Sequence, residues 1–367
     1  MSSSYSQVKA MLAITRASLK AIFRSPQAVF FSLFFPVVLI AIFGALGGNG
    51  RVSVDVAFDK NTDTANALYH AIATSQVLNV EKATDAELAD RLKKGRITAL
   101  ISIIKQDTAG NKPPYNLHLK ATEASMKDMQ VLQSVLKEMV GQINEKASHN
   151  QFHFAVITSE LVPGRPYKMI DFYLPGMLGF SLIGAAVFGV AFVFYTFRET
   201  LVLKRLFSTP IKRTYIVVGE SLARIIFQLT TAVVLILFGK FFYNFTLAHG
   251  WITFVEMMFL CLLGLIVFMG FGFAISGFAK NQNVIPVYAN LFMFPQYFLS
   301  GTFFPKGALP ESMQSIIRFL PLTAFNDAMR KISFEGLHLW NVGIEIAILL
   351  GWAVIAYALA VKAFKWE

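Results

Sequence analysis

Few residues in this sequence stand where chemistry could be done. Glu220 and Arg224 are four apart in GESLARIIFQL, so on a helix a carboxylate and a guanidinium would meet on one face. Charges inside apolar segments are costly and often functional. This pair lies near one end of its apolar block, which favours a structural interfacial pair over a proton relay. Glu256 and Glu345 each lie five residues past a tryptophan, Trp251 and Trp340, as expected close to an interfacial aromatic belt. His118, His149 and His153 are scattered without metal-ligand spacing, so no metal site is expected. No G-x-S-x-G nucleophile motif occurs. No G-x-x-x-x-G-K-[ST] loop occurs either, and the Gly110-Asn111-Lys112 run enters Pro113-Pro114 as a turn. The expectation is a chain with no catalytic residues and no nucleotide site of its own.

The elements that would position these residues are mostly apolar. Of 367 residues, 55% are hydrophobic, 36 are Phe and only 15% are charged. Ordinary soluble domains carry about 25% charge, and water-facing helices need a polar face that long apolar blocks lack. Disorder is excluded by the same composition. Six apolar blocks are long enough to cross a bilayer: 28–46, 173–197, 215–242, 251–279, 284–304 and 340–361. The first has too long a core for a signal peptide and no clear cleavage site, so it reads as a retained anchor at 28–47. Pro36 within it is tolerable where neighbouring helices re-satisfy the freed backbone. Four glycines in the fourth block, Gly264, Gly270, Gly272 and Gly277, point to close helix packing. The single cysteine, Cys261, excludes an intrachain disulfide.

Net charge is +11, which in a soluble protein would suggest nucleic acid. Here it reads as loop charge that orients the chain, and no nucleic-acid partner is expected. Twelve Lys and Arg fall on the side of the termini, among them Lys9, Arg16, Arg198, Lys204, Arg205 and Lys212, against four in the short segments of the other side. That bias places both termini in the cytoplasm. The polar stretch after the first block, 48–170, is then exported. RVSVDVAFD, VLNVE, RITALISII and PYNLHLKAT read as strands; 62–76, 84–95 and 125–160 read as helices, the first capped by Thr62 or Asp63. The fold class expected is an α-helical polytopic membrane protein, one span plus five, with an inserted α/β extracytoplasmic domain.

Two further segments carry the most specific pattern. Residues 5–23 (YSQVKAMLAITRASLKAIF) form an amphipathic segment within the cytoplasmic stretch 1–27, suited to the membrane interface. After the second block, RETLVLKRLFSTP gives a short amphipathic helix over 198–212, built from Glu199, Thr200, Leu203, Lys204, Arg205 and Leu206 and stopped by Pro210. On the opposite side, after the fifth block, Gly301, Pro305, Pro310 and Pro321 break turns too short to span, suggesting a re-entrant segment over 304–325.

In this order, and with the layout of one span, a large exported domain and five spans, the chain resembles the permease subunits of the type-2 ATP-binding-cassette (ABC) exporter family, in the subgroup with an extracellular domain after the first span. The resemblance covers nearly the whole chain. One departure is that the family often has Glu-x-Gly-Thr-Leu in the 198–212 segment, whereas this chain has Glu199-Thr200-Leu201 without the glycine. The resemblance implies a homodimer, or a heterodimer with a sister permease, bound to two cytoplasmic ATPase subunits that hold the ATP and Mg. Segment 198–212 would be the coupling helix, braced by the N-terminal helix. The pathway would lie at the dimer interface along the second and fifth spans, where Phe180, Phe188, Phe192, Asn290, Phe294, Gln296 and Tyr297 would line it. An aromatic lining with few polar groups suits an amphipathic or lipid-like substrate, although such aromatics also serve simply to face lipid or neighbouring helices. A periplasmic or outer-membrane partner is compatible with a host that has an outer membrane. A secondary transporter would want midplane ionisable groups and repeated halves, and a membrane-anchored receptor or assembly factor would need no ATPase. A complex doing mechanical or sensing work without a transported substrate also stays open.

Overall fold

The computed structural model describes residues 6–46, 54–75, 77–81, 83–93, 97–106, 114–122, 126–147, 155–162, 168–200, 210–306 and 309–363. The chain divides into two compact units, Met1–Gly47 with Met169–Glu367, and Gly48–Lys168.

The first unit is helical. Helix α1 (Gln7–Phe23) starts at Ser6, whose side chain accepts from the Lys9 amide. Ser25 and Pro26 open the next helix, as an N-cap and a first-turn proline should. It runs as α2 (Pro26–Val29), a π turn (Phe30–Phe34) and α3 (Phe35–Leu46). Pro36 accounts for the irregularity. Its ring cannot donate to the Ser32 carbonyl and crowds it. The Ser181 hydroxyl supplies the missing partner, donating to that carbonyl at 2.6 Å. There follow α7 (Met169–Glu199), α8 (Arg213–Tyr243), α9 (Trp251–Phe278) and α10 (Val284–Leu299). The unit closes with α11 (Glu311–Ile317), α12 (Pro321–Ser333), a 3₁₀ turn (Leu339–Val342) and α13 (Gly343–Ala363).

Among the described residues five helical stretches are long and apolar enough to cross a membrane: Pro26–Phe43, Met169–Glu199, Arg213–Tyr243, Trp251–Phe278 and Leu339–Ala363. Helix α10 is apolar but has only 16 residues, or about 24 Å at about 1.5 Å per residue, short of a hydrocarbon core of about 30 Å. The sequence suggests that this block continues to residue 304. It stops at Leu299 because Ser300 leaves the helix and Gly301 takes φ +71°, a left-handed conformation that glycine adopts freely. Helix α9 is the hub, packing on α7 and α13. At Gly272 an added Cβ would sit 2.8 Å from the Val190 Cβ and 2.9 Å from the Val187 carbonyl, so α7 and α9 touch nearly backbone to backbone.

The second unit is a five-stranded sheet in the order β2-β1-β3-β4-β5, with β1 (Val54–Phe58), β2 (Leu78–Val80), β3 (Ala99–Lys105), β4 (Tyr115–Thr122) and β5 (Ala155–Val162). The β1–β2, β1–β3 and β4–β5 pairs are parallel and β3–β4 is antiparallel. Helices α4 (Ala67–Ala73) and α6 (Met126–Ala147) cover one face through Leu68, Ile72, Leu132 and Leu136. Helix α5 (Asp85–Lys93) covers the other, through Leu88 and Leu92 on Ala57 and Ile97.

Two expectations need correction here. The helix read over 125–160 ends at Ala147, and residues 155–162 are a strand. Val156, Ile157 and Thr158 are β-branched and pair in register with Asn116, Leu117 and His118, so sheet pairing overrides the helical reading. The cap of α4 is Asn66, whose side chain accepts from the Tyr69 amide at 2.7 Å, rather than Thr62 or Asp63.

Candidate functional site

The residues that could act lie at three levels of the helical unit. The first is the end that bears segment 198–212. Glu199 is the last residue of α7 and exposed; Thr200 follows in a turn, its hydroxyl on the Thr196 carbonyl at 2.6 Å. Leu203, Lys204, Arg205 and Leu206 lie outside the described residues. Pro210 is exposed, and α8 begins three residues later. Both flanks of the segment are tied to helices distant in sequence. Arg198 donates to the Ala279 carbonyl at 2.7 Å, where α9 ends, and stacks 5.3 Å from the Tyr195 ring centre. Gln7 donates to the Pro210 carbonyl at 2.6 Å and accepts from the Lys212 amide at 2.9 Å. Lys212 is the N-cap of α8 and has no side-chain cap of its own, so Gln7 satisfies one of the amides that a helix start leaves open. Helix α1 then lies along α8. The Thr15 hydroxyl is 2.9 Å from the Gly219 carbonyl, and a Cβ on Gly219 would meet the Met11 carbonyl at 2.9 Å.

One turn further along α8 is the polar stripe. Arg224 donates to Glu220 at 3.0 Å, with the two side chains 13% and 3% exposed. The sequence pairing is therefore present, and more buried than an interfacial pair requires. Arg224 fits over Gly189 of α7, where an added Cβ would lie 2.2 Å from Nη1. Gln228, one more turn on, donates to the Ser181 hydroxyl at 2.7 Å, and Ser181 donates to the Ser32 carbonyl. The stripe thus joins α8, α7 and the π turn. Glu220 Oε2, Arg224 Nε and Gln228 Oε1 are buried without a hydrogen-bond partner among the described residues. Each such atom costs about 1–3 kcal/mol.

The aromatic residues divide. Phe180 meets Tyr297 with ring centres 4.5 Å apart and Phe303 at 5.9 Å, joining α7 to α10. Phe188 and Phe192 stack on each other at 6.1 Å, and Asn290 is half-buried. Phe294 is exposed on a face of α10 with Val287, Leu291 and Phe298, of which Leu291 is 74% accessible. Gln296 points elsewhere. It is buried, accepts from the Leu322 amide at 3.1 Å and donates to the Phe292 carbonyl at 3.3 Å, which makes it a brace between α10 and α12.

The third level is a collar at the far end. Asn326 of α12 donates to the Ser300 carbonyl at 3.2 Å and to the Thr302 hydroxyl at 3.0 Å. Arg330 reaches the Phe172 carbonyl at 3.1 Å, the Gly301 carbonyl, and the Phe172 ring face at 4.0 Å. Lys306 pairs with Asp327, and Lys331 with Glu345. Pro310 and Pro321 stand at the starts of α11 and α12, so they begin helices here; Pro305 lies in the bend before α11. Nearby, Glu256 accepts from the Leu339 amide at 3.3 Å and lies 3.0 Å from His338 Nδ1, whose ring stacks on His249 and Trp340. Gln7, Gln228, Asn326 and Arg330 were not distinguishable in the sequence as site residues. The available signal was a polar side chain inside or beside an apolar run, which names a candidate but not its partner.

The model of the family described as ABC-2 family transporter protein matches residues 27–362. The chain is 22% identical to the linearmycin resistance permease protein LnrN of Bacillus subtilis (strain 168), over 98% of this chain and 100% of that one. Nodulation protein J of Rhizobium meliloti (strain 1021) is 28% identical over 31% of this chain and 44% of its own length. The matched span takes in the buried α7–α9 hub, the polar stripe and the collar, and the chain belongs to the ABC-2 transporter family as a type-2 ABC permease.

Proposed function

We propose that this chain is the membrane subunit of an ABC exporter, driven by ATP hydrolysis on a separate cytoplasmic ATPase that holds the ATP and Mg. Segment 198–212 is its coupling helix, and the ATPase seats on Glu199, Thr200, Leu203, Lys204, Arg205 and Leu206. The observation that carries this reading is the pair of ties at the flanks of the segment. A push on residues 201–209 would reach α9 through Arg198 and α1 and α8 through Gln7.

In this reading six helices cross the inner membrane of a bacterium, with α10 and the turn after it completing the fifth crossing. Both termini are cytoplasmic, following the Lys and Arg bias, and 48–170 is extracytoplasmic. A second permease copy, identical or a sister chain, covers the apolar face of α10 formed by Val287, Leu291, Phe294 and Phe298. Residues 304–325 fold back at the outer end. The substrate is amphipathic or lipid-like and passes Phe180, Phe188, Phe192 and Phe294, in keeping with a relative named for resistance to a compound. ATP switches the permease cleanly only if it favours one state by about 5 kcal/mol.

The test is capture of the tagged protein from its own host with mass spectrometry. A soluble ATPase with a phosphate-binding loop is expected near equal stoichiometry, and it is lost in Glu199→Ala/Arg205→Ala. No ATPase under gentle extraction would overturn the reading.

A further inference from the structure

Gln7 is the first residue of α1, 203 positions from the carbonyl it binds and 205 from the amide. Its carboxamide offers a donor and an acceptor side by side, as a backbone peptide does. Pro210 presents a carbonyl and Lys212 an N–H in the complementary order, so the side chain reads the main chain as a neighbouring strand would. A carboxylate has no donor for Pro210, an ammonium has no acceptor for Lys212, and the shorter asparagine falls one methylene back. The contact depends little on the side chains of Pro210 and Lys212, because it is made to their backbone.

The site of this contact matters. It is the point where segment 201–209 rejoins a helix, and Lys212 lacks a side-chain cap. Beyond it α1 holds α8 by Thr15 and by the close approach at Gly219, and one turn later comes the buried stripe at Glu220 and Arg224. With the Gln7 contact in place, displacement of the segment must carry α1 and the first turn of α8 together. Without it, the first turn of α8 can fray and absorb the displacement.

We propose that Gln7 is a positioning residue for coupling: its carboxamide fixes the register between the exit of segment 198–212 and α8, so that movement of the segment becomes movement of the helices. This rests on the exporter reading above. The isosteric Gln7→Glu removes the donor and places a carboxylate oxygen against the Pro210 carbonyl. Lys212→Pro approaches the same contact from the other side. Lys212 has φ −74°, which proline adopts, so the variant deletes the N–H, and Lys212→Ala controls for the lost charge.

The experiment measures ATPase capture and export, the latter as protection of the host from a panel of amphipathic toxins. If wild type captures no ATPase, the exporter reading fails, whatever Gln7 does. If it does, Gln7→Glu and Lys212→Pro are each expected to capture the ATPase within about twofold of wild type yet lose about threefold to tenfold of export, the range of one neutral hydrogen bond. The double variant is expected to lose less than the product of the single losses, because each single variant breaks one of the two bonds of one bidentate contact. Lys212→Ala is expected to export normally. Export unchanged in Gln7→Glu, losses that multiply in the double variant, or loss of the ATPase itself would each overturn the proposal. Should Gln7→Glu not reach the membrane, Lys212→Pro against Lys212→Ala decides alone.

Discussion

The two ends of the helical unit are held in different ways. At the collar, Asn326, Arg330, Lys306 and Lys331 make a mesh of bonds among α7, α10, α12, α13 and the turn after α10. They link elements already packed on apolar residues such as Leu322, Phe325 and Met329. At the other end, the flanks of segment 198–212 are held by Arg198 on one side and Gln7 on the other. A mesh distributes load and tolerates a lost bond. A pair of pins transmits load through single contacts. Stability and coupling should therefore be separable in this chain: removing a collar bond should lower stability and leave coupling intact, while removing a pin should leave the protein stable and idle.

Breaking the buried stripe between the two ends should have the largest effect. Glu220→Gln leaves the Arg224 guanidinium short of its counter-charge over Gly189, and loss of one partner of a buried pair costs about 3–5 kcal/mol. A fall in the thermal midpoint of the purified protein is expected, with partial recovery in the double variant Glu220→Gln/Arg224→Met. If the single variant melts like wild type, the stripe is not a packed element of the core. Next is the α7–α9 contact. Gly272→Val forces a branched side chain onto the Val187 and Ala186 carbonyls, at 2.9 and 3.0 Å, where backbone has no room to yield. A cost of about 3 kcal/mol is expected, seen as poor recovery of folded protein from membranes.

In the collar, Asn326→Ala removes donors to Ser300 and Thr302 at a fully buried site. A loss of about 1–3 kcal/mol is expected in the same melting assay, with ATPase capture unchanged. A variant that melts normally but loses the ATPase would invert the assignment of the two ends. The smallest stability effect belongs to Arg198→Lys. It keeps the charge but gives up the planar guanidinium that both reaches Ala279 and stacks on Tyr195, at about 0.5–1 kcal/mol. Its expected signature is weakened export with little change in melting.

Much of the helical unit was legible because its signals are local. Apolar run length found the long helices, small residues in α9 announced close packing, and Pro36 announced a carbonyl in need of a partner. The i, i+4 spacing found Glu220–Arg224. What stayed hidden depends on long-range pairing. Strand β5 looks helical alone, because AVITSELV carries no proline or turn signal to set it apart from the helical pattern before it; only β4 makes it a strand. Gln296 looked like a pathway residue because it is polar among aromatics, and the Leu322 amide that occupies it is 26 positions away. Gln7 sits in a segment whose amphipathic pattern suggests only an interface, and its partners are more than 200 positions distant.

On the proposed reading, work enters at the pinned end while the collar stays braced. Hydrogen–deuterium exchange of the permease–ATPase complex, with and without ATP, measures this directly. Changed exchange is expected in peptides covering 6–24 and 196–224, with 296–333 unaltered. Changed exchange in 296–333 with 196–224 unaltered would contradict it.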